Sequence, residues 1–251
     1  MRTASKRILL LWAACALASA ATAQYETTAQ SAREGALGGV VLFEPAGRCV
    51  ALDWGRAWMQ AEQAAKSLRM QLPVGDGGTL RLAYEHRGTV DYHEQQLAAA
   101  YALRVSEWLR VGVSARGLHL GTSDAHYAPH RWLAAAALLQ ASVGRTTLTL
   151  LAGSRPWDEV ATWRLHLQAA YRPSDRWLTV VELEREEVVR WRMGMEYAAA
   201  EYIRLRAGLA TRPTLLTLGV GFRWAQFELD LAARMHAALG VTPQISLALW
   251  F

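Results

Sequence analysis

Three histidines and one acidic cluster are the side chains of this chain with the greatest capacity for chemistry. The histidines are His119, His126 and His130, and Asp124 lies among them. Imidazole and carboxylate groups are metal ligands, but this spacing matches no strong ligand pattern. The acidic cluster at 182–187 has arginine neighbours, and the chain has no Gly-x-Ser-x-Gly, His-Glu-x-x-His or phosphate-loop motif. We therefore predict no catalytic residue, no metal site and no cofactor.

Charged side chains alternate with apolar ones along many segments, as Glu228 and Asp230 do with leucines. Because successive side chains of a strand point to opposite faces, such charges share one face. If the strands close around a lumen, opposite charges on neighbouring strands can pair inside it. The predicted lumen charge network consists of Arg81, Glu85, Arg110, Arg164, Glu182, Arg190, Arg192, Glu196, Arg204, Arg206, Arg223, Glu228, Asp230 and Arg234. The same face carries Arg69, Arg116, His166, Gln168 and Glu184.

The apolar residues repeat with the period of two that is typical of strands, not with the period of 3.6 that is typical of helices. Short groups of turn residues separate the alternating segments from Cys49 onward. The pattern predicts fourteen strands, at 50–58, 64–73, 78–88, 93–104, 108–119, 130–142, 145–153, 161–172, 177–185, 188–198, 202–210, 214–223, 226–236 and 242–251.

Apolar and polar residues would also alternate along the strands of a soluble β-sandwich, in which one face of each sheet is exposed to water. Two features favour a membrane barrel instead. The apolar face continues through nearly every segment, whereas the edge strands of a sandwich are blunted by charge or proline. The segments are also about ten residues long, which is the length that crosses a bilayer at a tilt. The predicted fold class is all-β, a transmembrane antiparallel β-barrel of about 14 strands with a short N-terminal lumen segment.

Aromatic residues recur near one set of predicted turns. With an even strand count both termini lie on the periplasmic side, and the turns on that side are the shorter ones. Amphipathic aromatic rings are comfortable at the level of the lipid headgroups. The predicted periplasmic girdle is Tyr101, Trp108, Tyr171, Trp177, Tyr197 and Tyr202.

The first residues have the pattern of a secretory signal peptide. Three basic residues precede an apolar run at 8–17, and small residues ending at Ala23 fit an A-x-A cleavage site. Lipidation of Cys15 is the alternative, although Trp12 stands where a lipoprotein signal favours leucine. The predicted organisation is a signal peptide at 1–23, a lumen or hatch segment at 24–48 and a barrel at 49–251. The predicted location is the bacterial outer membrane.

Cleavage near Ala23 changes what charge and cysteine content imply. It removes Arg2, Lys6 and Arg7, so the formal net charge falls from +5 to +2, and no nucleic-acid partner is expected. One cysteine, Cys49, remains, so no intramolecular disulfide can form.

The chain ends inside a strand-like segment, whereas a soluble protein usually ends in a polar tail. Ile245, Leu247, Leu249 and Phe251 share its apolar face. Such an ending resembles the signal that the barrel-assembly machinery reads. We predict that these four residues form that signal and that the last strand pairs with the first, which removes the open edge.

Short motifs that contain glycine resemble those of the PorV/PorQ branch of the FadL-like (OMPP1) outer-membrane proteins of the Bacteroidetes type. The motifs are "ALGG", with Gly38 and Gly39, and "EPAG", with Pro45, Ala46 and Gly47, together with the distal block 180–251. The family usually has Asn-Pro-Ala-Gly where this chain has Glu44, and the stretch between the motifs is shorter here. The resemblance implies a fourteen-strand barrel with a reduced N-terminal hatch.

The resemblance implies an accessory barrel for protein secretion or surface presentation, whose partners are outer-membrane lipid, the assembly machinery and secreted or surface proteins. Exposed aromatics in outer loops, such as Trp157, favour this docking role. A FadL-like transporter or pore for a small solute is one alternative, and a purely structural membrane protein is another. The expected lumen is closed by paired charges, because the sequence shows no obvious apolar cavity of the kind that fatty-acid uptake needs.

Overall fold

The computed structural model describes residues 31–42, 47–124, 126, 128–154, 163–186 and 188–251. Fourteen antiparallel strands in this part of the chain form one closed barrel. They are β1 (Cys49–Arg56), β2 (Ala64–Val74), β3 (Gly78–Gly88), β4 (Tyr92–Arg104), β5 (Leu109–Thr122), β6 (His130–Val143), β7 (Thr146–Ser154), β8 (Trp163–Ser174), β9 (Trp177–Arg185), β10 (Val189–Ala198), β11 (Ile203–Ala210), β12 (Leu215–Trp224), β13 (Phe227–His236) and β14 (Gly240–Trp250). The predicted fold class and strand count are confirmed.

Among the described residues, three short helices lie outside the sheet. The α-helix α1 (Ala32–Ala36) precedes the barrel, and two 3-10 helices, Ala57–Met59 and Ala61–Gln63, connect β1 to β2. In the residues described, no helix is both long enough and apolar enough to span a membrane.

Two ends of the barrel can be distinguished by the chain termini. β1 begins and β14 finishes at the same end, which we call the terminal end; the other is the far end. Connections at the terminal end contain two to four residues, whereas those at the far end contain three to eight. β5 continues to Thr122, three residues beyond its predicted end at 119, because Thr122 still pairs with Tyr92 of β4.

Apolar side chains face outward and charged ones face the lumen. Leu218 and Leu229 are 48% and 37% exposed, whereas Arg206 and Asp230 on the same sheet are 3% and 5% exposed. An alternating strand has to turn one face inward, and the inward face here is the charged one. The outward apolar face is that of a barrel surrounded by lipid.

The last strand closes the sheet. β14 pairs with β1 from Cys49↔Trp250 to Gly55↔Gln244, and the amide of Phe251 donates to the carbonyl of Arg48 at 3.0 Å. This pairing satisfies the backbone groups of both edges. The four residues of the predicted assembly signal are exposed on the outward face: Ile245, Leu247, Leu249 and Phe251. Recognition of these residues by the assembly machinery stays a prediction.

The residues of the aromatic girdle are all exposed and lie near the terminal end of the barrel. Their positions are Tyr101 in β4, Trp108 before β5, Tyr171 in β8, Trp177 in β9, Tyr197 in β10 and Tyr202 before β11. The rings of Trp177 and Tyr197 contact each other, with centroids 5.6 Å apart.

The two faces of β4 allow a test with one substitution at adjacent positions. Ala99 faces outward and Ala100 faces the lumen. We expect Ala99→Arg to lower the free energy of unfolding by about 2–4 kcal/mol, because it places a charge against the hydrocarbon near the bilayer midplane. Ala100→Arg should cost far less, and urea unfolding in lipid vesicles measures both. Equal losses would contradict the assigned register.

Candidate functional site

One half of the lumen is filled by a plug, which we define as residues 31–42. Its helix α1 begins with a capping box: the Ser31 hydroxyl accepts from the Glu34 amide, and the Glu34 carboxylate accepts from the Ser31 amide. The plug is bonded to the wall at both ends. The Ala32 amide donates to Ser246 Oγ at 2.7 Å, and Gln168 Nε2 donates to the Val41 carbonyl at 2.7 Å.

Glycines in the wall let the plug approach the sheet backbone. A Cβ at Gly208 would lie 2.3 Å from the Gly38 amide nitrogen and 2.5 Å from the carbonyl carbon of Leu37. Gly38 itself has φ +79°, a conformation that glycine adopts without strain. Thr217 completes this contact, since its Oγ1 accepts from the Gly38 amide at 3.0 Å and donates to the Ala36 carbonyl at 2.8 Å.

A buried ion-pair cluster joins the plug to the wall. The guanidinium of Arg33 forms two bonds to Glu196, at 2.8 and 2.9 Å. Arg206, whose side chain has no exposed surface, contacts the same carboxylate at 2.7 Å and Asp230 at 2.5 Å. Glu228 lies 3.8 Å from Arg206. Charges removed from water in this way require partners, and the partners are present.

A second cluster lies on β8, β9 and β10. Arg192 contacts Glu182 at 2.7 Å and Glu184 at 2.6 Å, and His166 lies 3.3 and 3.7 Å from the same two carboxylates. Donor atoms of His166, Glu182 and Glu184 all lie within 4.8 Å of one another, which is close enough for metal ligands. Because Arg192 already binds both carboxylates, a cation would have to displace it, and the cluster is better described as ion pairing.

A third cluster lies where β1, β2 and β14 meet. Asp53 accepts two bonds from Arg69, at 2.6 and 2.8 Å, and further bonds from Ser67 and Ser246. Ser246 also holds the first amide of α1, so this cluster continues into the plug. The carboxylate is therefore saturated with donors.

The remaining members of the predicted charge network are distributed around the wall and do not form one site. Arg164 pairs with Glu186, and Arg190 lies 3.6 Å from that carboxylate and 3.8 Å from Glu184. Other contacts are Glu85 with Arg87, Arg81 with the Leu42 carbonyl, Arg110 with Gln140, Arg204 with Glu196 and Glu228, and Arg223 over the Trp250 ring. Arg223 is exposed, and Arg234 is half-buried on the inward face of β13.

The other half of the lumen contains a cavity, contrary to the expectation of a closed interior. Its empty volume is about 2080 Å³, including space open to solvent. The lining on β3–β7 is made of small side chains, which we call the small-residue wall: Ala83, Ala98, Ala100, Ser114, Ala134, Ala136 and Gly153. The other side of the lining carries charges of both signs, among them Glu34, Arg69, Arg164, Glu184 and Asp230, and Arg81, Gln96 and Arg116 lie among the small residues. The plug and the ion pairs therefore fill one side of the lumen, and the other side contains a cavity.

A smaller pocket extends this cavity toward the terminal end. It has an empty volume of about 500 Å³ and shares Arg81, Ala100, Ser114 and Leu151 with the larger one. Gly112 and Ala102, which face each other across β4 and β5, line the extension. Toward the far end the wall carries larger side chains, Leu118 and Trp132, which pair in register.

The histidines considered as metal ligands do not converge. His119 faces outward on β5, whereas His130 begins β6 on the inward face and stacks on Trp132. His126 lies in the far-end loop, where its backbone amide and its ring hydrogen-bond to Asp124 and lower the pKa of that exposed carboxyl. The structure thus gives no support to a metal site at these histidines.

Several residues of the lumen were not identified from the sequence. The plug residues Arg33 and Glu34, and Asp53 in the wall, supply charges that the network omitted. At the wall glycine Gly219, a Cβ would lie 2.5 Å from Ala36 Cβ in the plug. Among the motif residues, Gly38 and Gly39 lie in the plug, while Pro45 and Ala46 lie outside the described residues and Gly47 is exposed.

Comparison with solved structures identifies the fold. The chain is similar to the Pseudomonas putida toluene transporter TodX, with a TM-score of 0.65 and 11% identity over 90% of this chain and 98% of that one. It is also similar to the CymD monoaromatic hydrocarbon channel, with a TM-score of 0.61 and 12% identity over 83% and 89% of the two chains. No protein-family model matches the sequence, and no curated protein does. The likeness shows the fold, a closed antiparallel β-barrel shared with these two proteins.

Proposed function

We propose that this protein is a passive outer-membrane channel for small, uncharged, largely apolar solutes. The observation that carries the proposal is the cavity along the small-residue wall, which continues toward the terminal end of the barrel. Solute sites are concave and combine apolar surface with polar groups, and this cavity has an apolar side of small residues that faces a charged side. The plug occupies the opposite half of the lumen and leaves the wall free.

The solute class is small and aromatic or aliphatic. Alanine side chains give a smooth apolar surface without hydrogen-bond donors, so a polar solute would gain no partner there in exchange for its hydration. The structural neighbours TodX and CymD are described as a toluene transporter and a monoaromatic hydrocarbon channel, which supports the same class. Charged solutes would meet the arginines of the lining.

The proposed setting is the bacterial outer membrane, with the terminal end in the periplasm. Residues 1–23, which lie outside the described residues, act as the export signal and are cleaved near Ala23. The assembly machinery then reads the terminal strand that ends at Phe251. The short connections at the terminal end and the longer ones at the far end agree with this orientation.

Solute uptake by cells tests the channel directly. Bacteria with a low-permeability outer membrane that express the protein should take up radiolabelled toluene faster than cells without it. Ala98→Trp combined with Ala134→Trp fills the cavity from two strands and should return uptake to the level of cells without the protein. Both alanines line the cavity.

The matched control moves the same two substitutions by one residue. Ala99→Trp with Ala135→Trp places both rings on the lipid face, where they leave the lumen unchanged. This control should keep wild-type uptake. Equal uptake by the two double variants, at equal levels of folded protein in the outer membrane, would contradict transport through this cavity.

A second candidate is the accessory role in secretion or surface presentation that the PorV/PorQ resemblance implies. Large apolar side chains exposed in the far-end connections favour it: Met59 is 58%, Val90 is 85% and Leu239 is 51% exposed. Deletion of the gene in the native host, followed by quantification of surface proteins, tests this role. Loss of surface proteins with normal toluene uptake would favour the accessory role over the channel.

A further inference from the structure

A polar row crosses the outward face of the barrel near the far end. Register pairs place Lys66 beside His86, His86 beside Gln95, Gln95 beside His119 and His119 beside Arg131. These five residues, one from each of β2–β6, are called the basic row. At the usual strand separation the row spans about 19 Å.

The basic row marks the edge of the apolar belt. The next outward residues toward the terminal end are Leu68, Tyr84, Leu97, Gly117 and Leu133. Leu97 and Leu133 are 64% and 77% exposed, as expected for side chains in hydrocarbon. A polar row directly beside such a belt lies at the depth of lipid headgroups.

The charge of this surface has one sign. Lys66 and Arg131 are exposed, and no aspartate or glutamate occupies an outward position of β1–β6 in the described register. Of the acids in the nearby far-end connections, Asp91 accepts from Ser123, Asp124 accepts from His126, and Glu62 is exposed in the 3-10 helix before β2.

The histidines of the basic row have unused hydrogen-bonding capacity. The Nδ1 atoms of His86 and His119 are covered by the protein and have no hydrogen-bond partner among the described residues. His93 lies between them, with ring centroids 5.7 Å from His86 and 6.2 Å from His119. Because these nitrogens are covered, only the remaining part of each half-buried ring can meet a lipid.

A groove begins below the centre of the basic row. Gly117 lies beneath His119, between the long side chains of Leu97 and Leu133, and a Cβ at Gly117 would meet nothing within 4 Å. The outward residues farther along are also small, namely Ala99, Ala115 and Ala135. A channel of this shape, parallel to the strands, fits an acyl chain.

We infer that the basic row and the groove form a binding site for a lipid with a phosphate headgroup. Arg131 and the exposed edge of the adjacent His119 contact the phosphate oxygens through charge-assisted hydrogen bonds, and one acyl chain lies over Gly117 between Leu97 and Leu133. Lys66, at the other end of the row, adds longer-range attraction for the anionic headgroup. The site is separate from the lumen, so it does not depend on the solute that the channel carries. On β8–β10 the outward face near the far end carries Trp163, Trp191 and a single arginine, Arg185, instead of a basic row.

Native mass spectrometry of the full barrel in detergent tests the site. The probes are dioleoyl phosphatidic acid and dioleoylglycerol, which share their chains and differ in the phosphate. We expect the phosphatidic acid to remain bound and the diacylglycerol not to bind. Lys66→Gln with Arg131→Gln should weaken binding of phosphatidic acid roughly tenfold or more, since each basic group contributes to attraction of an anionic lipid.

Two further variants test the position of the charges and the role of the groove, and folding is checked for each. Arg185→Gln with Arg212→Gln removes two cations from the far end on another part of the wall and should retain wild-type binding. Gly117→Trp fills the groove, keeps every charge and should also weaken binding. Heat-modifiable migration checks that each variant is folded.

Three outcomes would overturn the inference. They are equal binding of the two lipids, equal binding by the two glutamine pairs, and complete displacement of phosphatidic acid by inorganic phosphate at equal concentration. The last would indicate a site for free phosphate in which the groove has no part.

Discussion

Gly208→Leu should convert a nearly non-conducting barrel into one that shows resolvable current steps in planar bilayers. Any side chain at this position enters space held by the plug backbone, because a Cβ there would lie 2.3 Å from the Gly38 amide nitrogen. A neighbouring side chain could rotate away, but backbone held by Thr217 and by the Arg33–Glu196 pair cannot. The plug must leave its seat, and the half of the lumen that it fills then opens to water.

The conductance of the variant should prefer anions. Arginines outnumber acids on the inward face, and displacement of the plug exposes part of that face. The unmodified protein should stay near the bilayer baseline, because paired charges close one half and Leu118 and Trp132 narrow the other toward the far end. Reversal potentials in a potassium chloride gradient measure the preference.

Gly117→Leu is the matched control, since the same side chain at this outward position meets nothing within 4 Å. It should leave conductance at the wild-type level. If the Gly208→Leu barrel is folded and inserted but gives no current steps, the plug does not close the lumen. Large steps from the wild-type barrel would show that the lumen is not closed at all.

The sheet was predictable because its inward face is charged and its outward face is apolar. In β11–β13 leucine alternates with arginine, glutamate or aspartate, so Leu218 and Arg206 could be assigned to faces without knowledge of the pairing. Closure of the barrel was predicted from the even number of strands and from the apolar last strand. Strand ends were less certain, because β5 extends past His119 through residues that resemble a loop.

The cavity could not be predicted, because its wall does not alternate. Ala98 and Ala100 face the lumen and Ala99 faces lipid, yet all three are the same residue. The size of a side chain, and not its polarity, distinguishes an open half from a filled one. A lumen segment at 24–48 was predicted, but its contacts with the wall were not, because they join residues far apart in the chain, such as Ala32 with Ser246 and Gly38 with Thr217.

The basic row was misjudged from local context. From the sequence, His119 was considered only together with His126 and His130 as a possible metal ligand. The register shows that His119 and His86 face outward in one row with Lys66 and Arg131, so their common feature appears only across five strands. Cross-strand neighbours are separated by unequal lengths of chain, and no period in the sequence reveals them.

Arg206→Met should lower the free energy of unfolding by about 3–5 kcal/mol, because it leaves buried carboxylates without their main partner. The arginine side chain has no exposed surface and contacts Glu196 at 2.7 Å and Asp230 at 2.5 Å. Methionine fills much of the volume but supplies no donor. Arg33 still neutralises Glu196, whereas Asp230 loses its ion-pair partner.

A second substitution separates the effect of leaving Asp230 as an unpaired buried charge from the effect of lost packing. Asp230→Asn in the Arg206→Met background removes the unpaired charge and should restore part of the loss, which a double-mutant cycle quantifies. Arg223→Met is the control, since Arg223 is exposed and lies over the Trp250 ring; it should cost about 1 kcal/mol or less. Urea unfolding in lipid vesicles measures all five proteins: the wild type, Arg206→Met, Asp230→Asn, the double variant and Arg223→Met. If Arg206→Met were as stable as Arg223→Met, the buried cluster would not stabilise the barrel, and its contribution would be limited to positioning the plug through Glu196.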